Sequence, residues 1–178
     1  MGSNVAAMQT RPVAPGGLGL VEDFLRTRDR FADRPDLDEW LASRHLPPLA
    51  ARDDLAAALR LREALRELAA ENNGFPPAPD ALAHVNAELD RAAVRPVLTA
   101  AGGLEWRTAG GGALAVLLAA VVAAFADGTW SRFKACAADD CRYAFYDHTR
   151  NRSARWCDVA GCGVNARMRA YRRRRPRH

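Results

Sequence analysis

The chain alternates between stretches whose apolar residues recur every three or four positions and short breaks rich in Pro, Gly, Asp or Asn. Leu18, Val21, Phe24 and Leu25 share one helical face, and after the Asp33-Arg34-Pro35 break Leu37, Trp40 and Leu41 make a second amphipathic segment. Asp53 or Asp54 can cap a longer helix in which Leu55, Ala58, Leu61, Leu65 and Leu68 form one stripe, with Asn72, Asn73 and Gly74 ending it. Another helix follows Pro79-Asp80 through Leu82, Val85 and Leu89, with Phe75-Pro76-Pro77 as the turn between the two. From Arg95 to Arg107 the exposure pattern alternates around Gly102-Gly103, which predicts a short hairpin, the helical domain's only sheet.

Residues 113–126 are fourteen consecutive apolar positions. A membrane span needs about 20, and runs of this length are more often core helices. The segment is therefore expected to be the central buried helix, with Leu114, Leu117, Val121 and Phe125 inward, small Ala115, Ala119 and Ala123 permitting close contact, and Asp127-Gly128 as its stop. Residues 1–17, with Pro12, Pro15, Gly16 and Gly17, lack periodicity and read as a flexible leader without function.

Composition narrows the class. The 178 residues are 49% hydrophobic and include 37 alanines, enough for a genuine core with a strong helical bias. Charge divides the chain: residues 131–178 carry 13 Lys or Arg against 4 Asp, a formal +9, whereas residues 1–130 carry 13 basic against 17 acidic groups, a formal −4. The basic end suits an anionic partner such as nucleic acid. No spacing suggests a catalytic triad, and Gly110-Gly111-Gly112 lacks the pattern of a phosphate loop, so an enzyme is not expected.

All four cysteines lie in the basic end. Cys136 and Cys141 face Cys157 and Cys162 across a fifteen-residue insert, and each pair has four residues between its members. Paired thiolates at one repeated spacing favour a tetrahedral zinc ion, one per chain and structural because four protein ligands leave no place for a catalytic water. Two disulfides, or four unrelated thiols, are the alternatives; a reduced cytoplasmic setting argues against disulfides. His148 could replace a cysteine only if the four-sulfur set were incomplete, and His45 and His84 are isolated surface candidates. Phe133 and Lys134 before the first pair, and Tyr143, Ala144 and Phe145 after it, place that pair at a hairpin tip; the second pair leads into VNARMRAYRRRR, a helix with Val164, Met168 and Tyr171 on one face. Hairpin followed by helix is a treble-clef-like arrangement. Trp130, Phe133, Tyr143, Phe145, Tyr146 and Trp156 are expected to be the finger's miniature core, separate from that of the helical domain.

The segment KACAADDCRYAFYDHTRNRSARWCDVAGCG resembles the CGNR zinc finger of bacterial transcription regulators over residues 132–175, on Arg150-Asn151-Arg152-Ser153, Arg155-Trp156-Cys157 and Cys162-Gly163. The chain departs from that family in having Val164 and Asn165 where Asn and Arg follow the Cys-Gly pair. LVEDFLRTRDR resembles the opening of the alanine-rich ABATE domain that precedes such fingers, on Asp23, Phe24, Thr27 and Arg28, with Arg26 where the family more often has Asn.

Together these readings predict a mainly α protein: a flexible leader over 1–17, an alanine-rich ABATE-like helical domain over 18–130 with one small hairpin, and a four-cysteine finger with a basic helix and tail over 131–178. The resemblance implies a cytoplasmic transcription regulator that binds DNA through its finger, the helical domain sensing a small-molecule ligand or a partner. Arg150, Arg152, Arg155, Arg167, Arg169, Arg172 and Arg173 are the candidate nucleic-acid contacts, because arginines fixed beside a zinc knuckle present forked donors to phosphates and guanine edges. Asp23, Thr27 and Arg28 are the candidate ligand site. RNA or ribosome binding, and a zinc-stabilised protein-interaction module, are the other classes; no membrane association is expected, and a homodimer is compatible with the sequence.

Overall fold

The computed structural model of the protein describes residues 11–27, 30–76, 78–138 and 140–174. Four helices come first: α1 Leu18–Leu25, α2 Arg34–Ser43, α3 Leu55–Glu71 and α4 Pro79–Ala92. An antiparallel hairpin, β1 Val94–Leu98 with β2 Leu104–Thr108, leads into α5 Ala113–Ala126. A second antiparallel hairpin, β3 Phe133–Ala135 with β4 Ala144–Tyr146, opens the finger, and a π-helical turn Val159–Gly163 runs into α6 Val164–Arg174. The protein is mainly α with a small hairpin and a carboxy-terminal finger, as the pattern predicts.

Local chemistry explains the boundaries. The Asp33 carboxylate accepts from Asp36 N–H with Pro35 in the first turn of α2, and Asp54, not Asp53, caps α3 by accepting from Ala57 N–H at 2.7 Å. At the start of α5, Gly112 has φ +80 and a Cβ there would sit 2.5 Å from Ala50 N. Gly112 serves this close passage of two chain segments.

Leu114, Leu117, Leu118 and Val121 of α5 are buried together with Leu18, Val21, Phe24 and Leu25 of α1 and the Ala58, Leu61, Leu65 and Leu68 stripe of α3. Phe125 departs from expectation. It is 54% exposed, because in the last turn Ala124 takes the inward position while Phe125 lies at the rim, stacked 4.9 Å from the Trp130 ring that follows the helix. Leu82 also faces outward; Ala81, Val85, Glu88 and Ala92 form the inner face of α4. Leu117→Asp should cost at least about 4 kcal/mol, since it puts an unpaired charge into a packed interior; urea denaturation measures it, and a variant as stable as the parent would place α5 outside the core.

The two parts share a core instead of having one each. Phe133, Ala135, Ala144 and Tyr146 of the finger hairpin, with Trp130, bury among α1, α3 and α5, and only Cys136, Ala138, Phe145 and Cys157, flanked by half-buried Tyr143 and Trp156, form a satellite cluster. The leader reading also changes for residues 11–17. Ala14 is buried with its N–H donating to Glu22 Oε2 at 2.8 Å, and Arg11 lies 4.9 Å over the Phe145 ring while donating to Trp156 O at 3.0 Å. Residues 1–10 lie outside the described residues.

Candidate metal centre and nucleic-acid face

The β3–β4 loop turns so that Cys136 N–H donates to Tyr143 O and Cys141 N–H to Ala138 O, both at 2.9 Å. Cys157 arrives with its N–H on Cys136 Sγ at 3.5 Å, and Cys162 sits in the π-helical turn that Asp158 caps through the N–H groups of Ala160 and Gly161. The four sulfurs lie within 4.8 Å of one another. Cys141 and Cys157 are 3.6 Å apart, and Cys157 and Cys162 3.7 Å. A tetrahedral zinc with Zn–S bonds of about 2.3 Å requires sulfur edges of about 3.8 Å, so the cage fits the ion, and all four cysteines are free of disulfides.

Electrostatics agrees with the fit. Hydrogen bonds from Cys141 and Cys157 pull the Cys136 thiol down to about 2, and the bond from Cys136 pushes Cys141 and Cys157 up. Burial, then Cys141, pushes Cys162 up to about 12. Four crowded thiols thus accept one negative charge and resist the rest until a dication neutralises them. The group is a structural zinc site, Cys136, Cys141, Cys157 and Cys162, with one Zn2+. His148 is not part of it; its ring packs on Tyr146 and meets Pro12 O at 3.0 Å.

A second organising centre lies beside the first. Lys134, the chain's one lysine, is buried with its ammonium on Asp147 Oδ2 at 2.8 Å, Arg152 O at 2.6 Å and Ala154 O at 3.1 Å, which uses all three of its donors. Asp147, fully buried, also accepts from the Thr149 hydroxyl and N–H through Oδ1 and from Ala154 N–H through Oδ2. Burial opposes its ionisation, but the bonds from Lys134 and Thr149 outweigh that and hold the carboxyl below its usual range. This pair fixes the loop over 147–154, so Arg150 and Arg152 stand exposed on a rigid mount. The lone lysine was a visible signal; its acid partner was not, because Asp147 gains its meaning only from the pairing of β3 with β4.

The other candidate arginines divide. Arg155 is exposed, and its carbonyl anchors Ala137 N–H and Asn73. Arg167, Arg172 and Arg173 are exposed on α6. Arg169 instead holds Asp140 with both guanidinium nitrogens, at 3.1 and 3.2 Å, which ties α6 to the first cysteine loop. Val164, Met168 and Tyr171 are all exposed, so the apolar face expected to seat α6 does not do so; the half-buried positions are Ala166, Arg169 and Ala170.

The end of α1 forms a joint between elements. Asp23 pairs with Arg44 at 2.6 Å; Thr27 is buried with its hydroxyl donating to Phe24 O and accepting from Arg62; Arg28 lies outside the described residues. Neighbouring Arg26 crosses to the finger, donating to Ala144 O at 3.1 Å and lying 4.8 Å over the Tyr143 ring. At the end of α3, Asn72 donates to Trp130 O and Phe133 O, and Asn73 to Ala135 O and Arg155 O. In the sequence these asparagines signal only the end of a helix. A groove of about 400 Å³ lies between α3 and α4, lined by Leu59, Arg60, Glu63, Ala64, Glu67, Ala81 and His84.

Among the described residues no helix is long and apolar enough to cross a membrane. Comparison with known families agrees with the architecture: the ABATE model, described as "Putative stress-induced transcription regulator", matches residues 18–128, and the CGNR zinc finger model matches residues 132–175. No curated protein matches the chain. With the first model covering well over half of its length and the second falling on its zinc cage, the chain belongs to the ABATE family of regulators and carries a CGNR zinc finger.

Proposed function

We propose that the protein is a non-enzymatic, cytoplasmic transcription regulator that binds duplex DNA through its finger. The observation that carries this reading is the placement of exposed arginines on two neighbouring elements: Arg150 and Arg152 on the loop held by Lys134 and Asp147, and Arg167, Arg172 and Arg173 on α6, which follows the last zinc ligand and which Arg169 ties to the first cysteine loop. Arginines so fixed give a register to base contacts that a loose basic tail cannot. Arg169 acts in this reading as a strut. The groove between α3 and α4 is the place for a small-molecule effector, with His84 in its wall; burial, then the Arg91 and Arg60 cations, hold that imidazole below its usual value and so neutral. Asn72, Asn73 and Arg26 connect this domain to the finger backbone, giving ligand binding a route to the arginines.

Competition between duplex DNA, structured RNA and single strands at fixed salt tests the reading, with duplex DNA expected to win. Removing residues 172–178 should lower affinity and the salt slope by roughly one unit per lost phosphate contact while keeping any sequence preference. Arg167→Ala should cost about 1–3 kcal/mol and relax preference at one position. Zinc-loaded protein that binds no nucleic acid at about 50 mM salt would leave the interaction-module reading in its place.

A further inference from the structure

The β1–β2 hairpin has two long edges, and they differ. Thr99 N–H donates to Gly103 O at 2.9 Å, which fixes the hydrogen-bonded pairs as Val97 with Glu105 and Arg95 with Arg107. The backbone groups of Val94, Pro96 and Leu98 on β1, and of Leu104, Trp106 and Thr108 on β2, therefore point away from the pair. On β1 the outer edge holds Pro96, which has no N–H and blocks a further strand. On β2 the outer edge is complete: Leu104, Trp106 and Thr108 each present an N–H and a carbonyl, and no other described residue hydrogen-bonds to them.

We propose that β2 pairs antiparallel with β2 of a second copy of this chain, about a two-fold axis at Trp106, joining the hairpins into one four-stranded sheet. In this register Trp106 exchanges both backbone bonds with its counterpart, and Leu104 does so with Thr108 of the second copy. Glu105 then stands opposite Arg107 of the second copy, and Arg107 opposite its Glu105, at the positions between hydrogen-bonded pairs where side chains approach most closely. Both side chains are free to reach, 54% and 61% exposed, with only each other as an ion-pair partner in the strand. Arg107 already faces Arg95 across β1–β2, an unfavourable like-charge pair that Glu105 of the second copy offsets.

The pattern also selects against the neighbouring registers. Sliding the strands by two residues sets Glu105 against Glu105 in one direction and Arg107 against Arg107 in the other, while a one-residue slide turns bonded groups away from each other. Leu98 and Leu104, exposed at the end of the hairpin, lie on the same face as Trp106 and extend an apolar strip across the joined sheet. The interface is isologous, as a closed dimer requires. It stands whatever the finger binds, and it relates the two fingers by the same two-fold.

Sedimentation velocity on the full zinc-loaded chain is expected to give twice 19.4 kDa. Glu105→Arg or Arg107→Glu alone makes both cross-strand pairs repulsive and should weaken the dimer by about tenfold or more. Both are surface changes whose folding is checked by circular dichroism. Mixing the two variants should restore the dimer, because each then carries the charge that the other lacks. A wild-type chain that stays monomeric through the micromolar range, a dimer indifferent to both reversals, or a mixture that fails to reassociate would each overturn the proposal.

Discussion

Removing zinc with a chelator, or replacing Cys157 by Ser, should melt the outer finger and leave most of the protein's helix in place. The reason is where the shared core ends. Phe133, Ala135, Ala144 and Tyr146 bury against α1, α3 and α5, and Asn72 and Asn73 clasp the backbone of that hairpin and its flanks, whereas Cys136, Ala138, Phe145 and Cys157 have little apolar company beyond the metal cage. A cluster so small cannot fold on burial alone, and zinc contributes about 10–16 kcal/mol in finger peptides, far more than the cluster's own packing. The eleven-residue α6 should therefore be lost while α1 to α5 persist, a modest fall in ellipticity accompanied by release of one zinc per chain. Collapse of the whole helical signal would show that the joint transmits unfolding into the main core. Zinc affinity should also fall with pH, because the ion must displace protons from Cys141, Cys157 and Cys162, all held above their ordinary range.

Asp147→Ala is expected to destabilise the protein by about 3–5 kcal/mol, the cost of leaving the buried Lys134 ammonium without its counter-charge. Zinc content should remain at one per chain, since no cysteine is bonded to Asp147, but the 147–154 loop loses the acceptor for Thr149 and Ala154 and the mount of Arg150 and Arg152 with it. Nucleic-acid affinity should fall with it, in protein that is still folded at low temperature. The pH dependence has a definite sign: a depressed carboxyl contributes stability above its unfolded value and loses that contribution as pH falls through its lowered folded value. The parent should therefore lose stability on acidification in a window below pH 4, and Asp147→Ala should lack that component. A variant as stable as the parent, or one with unchanged affinity, would mean that the loop is held by other contacts.

Local pattern was sufficient for most elements because one residue's neighbours decide them. Asp54 caps α3 from its own first turn, and the apolar run of α5 is too continuous to be anything but core. The cysteine spacing announced the metal site for the same reason: a zinc ion needs four sulfurs and little else. Ends and rims were less legible. Phe125 reads as the next inward residue of α5 but lies where the helix runs out of neighbours, and only the position of Trp130 shows what covers it.

The sequence by itself determined the helices, the two hairpins, the zinc ligands and the basic finger, since each follows from periodicity, spacing or charge within a short window. Tertiary structure alone decided which groups meet across long separations. It turned Lys134 and Asp147 into the clamp of the arginine loop, Arg26, Asn72 and Asn73 into the joint, Arg169 into a strut on Asp140, and Arg11 into a contact with Phe145 and Trp156. Buried polar groups must find partners wherever the fold places them, and which partner is nearest depends on the packing of whole elements, which no local pattern encodes.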